Sequence, residues 1–306
     1  MASVTLAESA KLAQDQLVAG VIENIVTVNQ MYAVMPFDGI EGNSLAYNRE
    51  NALGDVQVAG VDATVTAKAA ATFTGVNSNL TTIIGDAEVN GLIQATRSGD
   101  GNDQTAVQIA SKAKSAGRQF QEMLINGTGA NDQVSGLINL APAGQTLTPS
   151  TDGDALSFTI LDELVDAVTD KDGAVDYIAM HSRTRRSYRA LLRGLGGAGI
   201  METIELPGGG EAMAYNGIPV FRNDYIPTNQ TQGATTTCTS IFAGTLDDGS
   251  RTHGIAGLTA MNAAGIQVTD VGESETKDNR IWRVKWYCGL ALFSEKGIAM
   301  APGITN

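Results

Sequence analysis

The densest run of chemically capable side chains is basic. Arg183, Arg185, Arg186, Arg189 and Arg193 place five of the twelve arginines within eleven residues. Such a cluster can dock on an acidic neighbour or on nucleic acid phosphates, or it can be a solvated helix face balanced by nearby carboxylates. In an acidic chain, a concentrated basic helix suits self-association, because other copies supply the opposite charge. An inter-subunit contact is therefore the preferred role. Asp162, Glu163 and Asp166 share one helical face and are expected to be solvated.

Catalytic signatures are missing. The two histidines, His181 and His253, are far apart, and no H-E-x-x-H, G-x-S-x-G or Gly-Lys-Ser/Thr step occurs. A lone histidine of this kind is expected to be a surface or structural residue. The stretch Gly194-Leu195-Gly196-Gly197-Ala198-Gly199 matches G-x-G-x-x-G, but it follows an Arg-rich helix and precedes a loop. A dinucleotide site needs a strand before it and a helix after it, so no cofactor is expected. Asp170-Lys171-Asp172-Gly173 lacks the later ligands of a calcium loop and reads as a turn. Cys238 and Cys288 are too few for a disulfide framework or a zinc cage and fit reduced, intracellular synthesis. Catalytic, cofactor and metal residues are all expected to be absent.

Composition narrows the classes further. Among 306 residues there are 35 glycines, 17% charged and 43% hydrophobic residues, and the net charge is −13. The hydrophobic content supports a folded core. The negative balance argues against a protein built to grip nucleic acid. No apolar run is long enough to cross a membrane as a helix, and Met1-Ala2-Ser3-Val4 does not begin a signal peptide. Charge density well below the usual ~25% is odd for a lone soluble monomer.

The elements that must position these residues are mixed. Thr5 and Glu8 form a capping box ahead of an amphipathic stripe of Leu6, Ala10, Ala13, Leu17, Val21 and Ile25. Over residues 44–84, Leu45, Tyr47, Val56, Val58, Ala63, Val65 and Ala67 alternate with polar residues, as in half-exposed strands. With Ala69-Ala70-Ala71 and many threonines, residues 44–74 read as a thin projecting two-stranded arm, or equally as a meander within a sheet. Asp103 caps a long helix to residue 126, with Ala106, Ile109, Ala110, Ala113, Gly117, Phe120, Met123 and Leu124 on one face and Gly127 as its C′ glycine. A helix over 156–169, a buried strand over 175–180, a helix from Ser182 to about Leu195, a glycine-rich loop over 194–214 and a strand over 218–221 follow. Residues 239–269 alternate apolar runs with glycines, and 280–292 form a strong strand. The pattern is α+β, with no repeat of period 20–50.

The order of these parts resembles the major capsid proteins of tailed bacteriophages, the Hong Kong 97-like fold. Leu124-Ile125-Asn126-Gly127-Thr128-Gly129, with Gly136-Leu137-Ile138 after it, resembles the family's helix end and turn. Tyr215-Asn216-Gly217-Ile218-Pro219-Val220 resembles its Gly-x-Pro-Val strand, and Leu290-Ala291-Leu292-Phe293 its last strand. The resemblance covers nearly the whole chain.

It implies an N-terminal arm over 1–40 and an extended loop over 41–80 that reaches a neighbouring subunit. It implies a peripheral domain over 81–133 and 266–306, with a spine helix at about 103–126, and an axial domain over 134–265. It further implies hexamers and pentamers in an icosahedral shell around double-stranded DNA, assembled in the host bacterial cytoplasm and ending as a virion capsid. Partners implied are further copies of itself, a separate scaffolding protein, a portal protein, a candidate decoration protein and packaged DNA held by weak non-specific contact. No membrane is implied. Lys112, Lys114 and Arg118 on the long helix would face the lumen. Lys68 is the sole loop lysine for the isopeptide cross-link some relatives make, with no Asn partner identifiable by motif. Alternatives are an encapsulin-like nanocompartment shell, which shares the fold, and an enzyme with an unrecognised site.

Overall fold

The computed structural model describes residues 31, 34–97, 103–170, 173–195, 203–205 and 211–305. The expected N-terminal helix (Thr5 to Ile25), residues 171–172 of the turn and Gly196 to Gly199 of the glycine motif lie outside these residues.

In chain order, the elements begin with β1 (Phe37–Ile40), β2 (Ser44–Ala52), β3 (Thr72–Asn79) and β4 (Thr81–Asn90). Next come α1 (Gly91–Arg97), α2 (Gln104–Asn126), α3 (Leu137–Leu140) and α4 (Phe158–Thr169). Strand β5 (Tyr177–Met180) precedes α5 (Ser182–Gly194). The rest is mostly sheet: β6 (Thr203–Glu205), β7 (Glu211–Tyr215), β8 (Ile218–Arg222), β9 (Gln230–Gln232), β10 (Thr235–Gly244), β11 (Ile255–Ala260), β12 (Gln267–Glu273), β13 (Asn279–Leu292) and β14 (Ile298–Ile304). The fold is α+β.

A seven-stranded sheet runs β14-β10-β5-β8-β7-β6, with β9 added beside β10. Its central strands are apolar on both faces. Tyr177 and Ala179 of β5 point to one core and Ile178 and Met180 to the other, as the period of two requires. One face packs on α2 and β13 through Phe120, Met123, Leu124, Trp286 and Leu290. The opposite face is covered by α4 and α5 through Leu161, Leu164, Tyr188 and Leu192.

The second sheet is built around the 14-residue β13. Strand β4 pairs along one edge from Asn279 to Cys288, while β12 and then β11 share the other edge. β1 joins β11 in parallel. Trp286 sits 4.7 Å from Phe120 between ring centroids, which ties this sheet to α2.

The long helix starts where the cap predicts: the Asp103 side chain accepts from the Thr105 amide. Its buried stripe is displaced from the expected one. Ala116, Phe120, Met123, Leu124 and Ile125 are buried, whereas Ala106 and Ala110 are exposed. The core covers only the C-terminal half of the rod. Gly127 also differs from expectation, because its φ of −60° is not left-handed. Space explains the glycine instead: a Cβ there would lie 2.0 Å from the Val134 carbonyl oxygen.

Three further differences have physical reasons. The 194–214 loop contains β6 and runs into β7, because Met213 and Tyr215 of β7 bury against α4 and α5 despite the surrounding glycines. Helix α4 begins two residues later than expected, where the Ser157 side chain accepts from the Ile160 amide. The cap of α5 is His181 rather than Ser182, with Nδ1 accepting from the Arg183 amide at 3.0 Å.

Candidate assembly surfaces

The first surface is the β2–β3 hairpin. It forms a two-stranded sheet of its own, paired from Ser44–Asn79 to Ala52–Thr72. The alternation of Val56, Val58 and Val65 does not make strands; residues 53–71 are a long connection. Polar side chains organise it from within. Gln57 Oε1 accepts from the Thr66 and Ala67 amides, and its Nε2 donates to the Thr64 carbonyl at 3.1 Å.

The root of the hairpin is clamped to the β13–β14 corner. The Tyr47 hydroxyl donates to the Leu292 carbonyl at 2.6 Å, and its ring meets Phe293 edge-on at 5.3 Å. Arg49 donates to the carbonyls of Leu292 and Phe293 and pairs with Glu295 at 3.1 Å. An open groove of about 590 Å³ lies beside this root, lined by Asn51, Arg251, Thr252 and Lys296 among others. The distal part is bare: Leu53 is 79% exposed, Val56 89% and Val58 105%, and Val61, Val65 and Phe73 are also exposed. Lys68 is exposed on this segment.

The arginine helix divides by depth. Arg183 is half-buried and donates to the Thr237 carbonyl at 2.7 Å, with longer bonds to Thr228 and Ile304, so it fastens α5 to its own sheet. Arg185 and Arg189 each place Nε against the Met213 sulfur, at 3.2 and 3.3 Å. Burial, and then the charges of Arg189 and Arg222, lower the pKa of Arg185. Arg186, Arg189 and Arg193 are exposed, and among the described residues none of the three has an ion pair.

The cap of that helix sits in the same field. Burial lowers the His181 pKa most; Asp224 opposes this, and the charges of Arg183, Arg222 and Arg186 add to it. Burial pushes the Asp224 carboxyl up, but bonds from Arg222 and Ser182 and the Arg222 charge outweigh it and hold it low. The expectation of a structural histidine is met at position 181.

The acidic face of α4 is exposed at Asp162, Glu163 and Asp166, and Asp162 accepts a hydrogen bond from the Tyr215 hydroxyl. The next acid, Asp170, pairs with Lys296 at 2.9 Å.

Lys112, Lys114 and Arg118 are all exposed on α2, but they do not share one face. At about 100° per residue, Lys114 and Arg118 fall on one side and Lys112 on nearly the opposite one. Lys112 lies over β4, beside Gly85 and Ile84, and its charge helps lower the Asp86 pKa, after the larger effect of the Arg283 hydrogen bond. The expectation of a common direction is thereby corrected; the helical period forbids it.

Among the described residues no group of His, Cys, Asp or Glu could hold a metal ion, and no helix is long and apolar enough to cross a membrane. Cys238 and Cys288 are free and buried, and burial pushes the Cys288 thiol up to about 12. Sequence reasoning missed the Tyr47–Arg49 clamp. The alternation of Leu45, Tyr47 and Arg49 on one strand face could have drawn attention to it.

A bare hairpin on a clamped root, a long helix packed on the β13 sheet, and a seven-stranded sheet covered on its far face by α4 and α5 define the fold. Solved structures share it across nearly the whole chain. The SrpI encapsulin of Synechococcus elongatus matches with 17% identity, covering 99% of this chain and 96% of that one, at a TM-score of 0.75. The capsid of cyanophage A-1(L) matches with 12% identity, covering 99% and 100%, at 0.72. A chain of Microbacterium phage Oxtober96 matches with 16% identity, covering 99% of both, at 0.62. No curated protein sequence matches the chain.

The particular family follows from a sequence model. Residues 15–199, more than half of the chain, match that of the SU10 major capsid protein, and the chain belongs to this family. It is a structural protein of a capsid shell.

Proposed function

We propose that this chain builds the icosahedral head of a tailed phage from hexamers and pentamers, around packaged double-stranded DNA. The hairpin carries the proposal. Its row of exposed Leu53, Val56, Val58, Val61, Val65 and Phe73 is too extensive for the free surface of a monomer. Burial of that row on a neighbour, at roughly 25 cal/mol per Å², stabilises the assembled state. The clamped root aims the hairpin outward and makes it a reaching element rather than a meander. The arm over 1–40, the extended loop over 41–80, the peripheral domain over 81–133 and 266–306 and the axial domain over 134–265 are the parts of this reading.

The role is mechanical, with no catalytic step. A separate scaffolding protein, a portal and a decoration protein are the partners it calls for. Assembly takes place in the host cytoplasm, and the product resides in the virion. Arg186, Arg189 and Arg193 form an inter-subunit contact, with Arg183 and Arg185 supporting it from beneath. Lys114 and Arg118 face the lumen and soften repulsion from DNA, while Lys112 stays over β4. The double change K114E/R118E is expected to lower DNA retention, and K112E to leave it unchanged; equal retention in both would remove the lumenal role.

The likeness to an encapsulin supports a second reading, a nanocompartment that houses an enzyme. Particles purified from the native source decide between the two. Nuclease-protected double-stranded DNA inside them is the expected result. A cargo enzyme with no DNA would establish the compartment instead.

A further inference from the structure

Helices α4 and α5 lie on one face of the seven-stranded sheet and share a core, yet their outer faces have opposite charge. Helix α5 reads Ser-Arg-Thr-Arg-Arg-Ser-Tyr-Arg-Ala-Leu-Leu-Arg-Gly, with no acid in thirteen residues. Helix α4 reads Phe-Thr-Ile-Leu-Asp-Glu-Leu-Val-Asp-Ala-Val-Thr, with no base in twelve.

The exposed groups form matching stripes. Arg186, Arg189 and Arg193 follow one another at spacings of three and four, so they line one side of α5 over about 10 Å. Glu163 and Asp166 are likewise three apart on α4, with Asp162 beside them. Within one chain the stripes leave each other unsatisfied. No carboxylate is within ion-pair distance of Arg186, Arg189 or Arg193 among the described residues. Like charges at i and i+4, as in Arg185–Arg189 and Arg189–Arg193, destabilise an isolated helix. The lowered pKa of Arg185 registers the same crowding, after the larger effect of burial.

We propose that the occupant of the basic α5 face is the acidic α4 face of a second copy of this chain. Each copy then offers one donor stripe and one acceptor stripe. A head-to-tail contact between two different patches closes into a ring when the rotation allows. Exposed ion pairs add little affinity one at a time, but complementary stripes set register and reject wrong partners. The pairing deepens the shell reading above and rests on it.

Charge exchange tests it. The full chain is co-expressed with the scaffolding protein of its own phage, as wild type and in three altered forms: R186E/R189E/R193E, E163K/D166K, and the two combined. Closed particles are counted by negative-stain microscopy, and the folding of each unassembled chain is checked by circular dichroism and melting. Each one-sided reversal is expected to lower the particle yield about tenfold, and the combined form to restore most of it. The neutral variant R186Q/R189Q/R193Q, with similar helix propensity, guards against misfolding and is expected to fall between wild type and reversal. Wild-type yields from folded one-sided reversals, or a folded combined form no better than either, would overturn the pairing and leave the shell reading standing. A wild-type chain that makes no particles would overturn both.

Discussion

At the residue scale, two side chains have consequences that can be measured. Arg49 is 14% exposed and holds two carbonyls and the Glu295 carboxylate. Replacing it with alanine strands those acceptors, so R49A should cost about 1–3 kcal/mol in denaturant unfolding. His181 caps α5 through a neutral ring nitrogen. Its folded pKa lies below the unfolded value because it is buried and lies near several arginines, so the unfolded chain binds more protons. Its contribution is therefore intact above about pH 6.5 and declines as the pH falls below that value. H181N retains an accepting side chain and should flatten the loss of melting temperature between pH 7 and pH 5. A pH profile unchanged by H181N would remove this role from His181. The cap was not legible beforehand because Ser182, the next residue, is the commoner capping type.

At the element scale, legibility tracked periodicity. Helix α2 and strand β13 were readable because each repeats its own period over more than a dozen residues and begins or ends at recognisable chemistry. Strand β7 was hidden, since five residues between glycine-rich stretches carry too little pattern, and its burial depends on helices distant in sequence. The valines of the 53–71 connection misled for the opposite reason. They alternate like a strand, but among the described residues no strand pairs with them. Two changes test the packing of α2. Phe120 is fully buried against Trp286, and F120A should cost about 3–5 kcal/mol through the cavity it leaves. Gly127 has no room for a methyl group next to Val134 and Met123, so G127A should destabilise by ~1–3 kcal/mol or more. A soluble G127A chain with wild-type unfolding would contradict the close approach.

At the scale of the whole molecule, the low charge density and the acidic balance gain a meaning. On the proposed reading, surface that looks too apolar for a monomer becomes interface in a shell, and a net charge of −13 suits a wall that would hold DNA without gripping it. The order of parts was legible in the chain, because a thin hairpin, a long helix and a return strand each left a pattern. The pairing of strands across it was not. The parallel neighbours β1 with β11 and β5 with β8 join segments about 220 and 40 residues apart, and register between such segments is set by tertiary packing. The division of the arginines into fastening and exposed groups also needed the fold, because it depends on which carbonyls and which sulfur lie beneath α5.

The central claim is that this chain is made to assemble. The most direct measurement is particle mass and morphology, by light scattering and electron microscopy, for the purified full-length chain with the scaffolding protein of its own phage. The account predicts closed shells of hundreds of copies, with six-fold and five-fold capsomers. Persistent monomers with scaffolding protein present would contradict it.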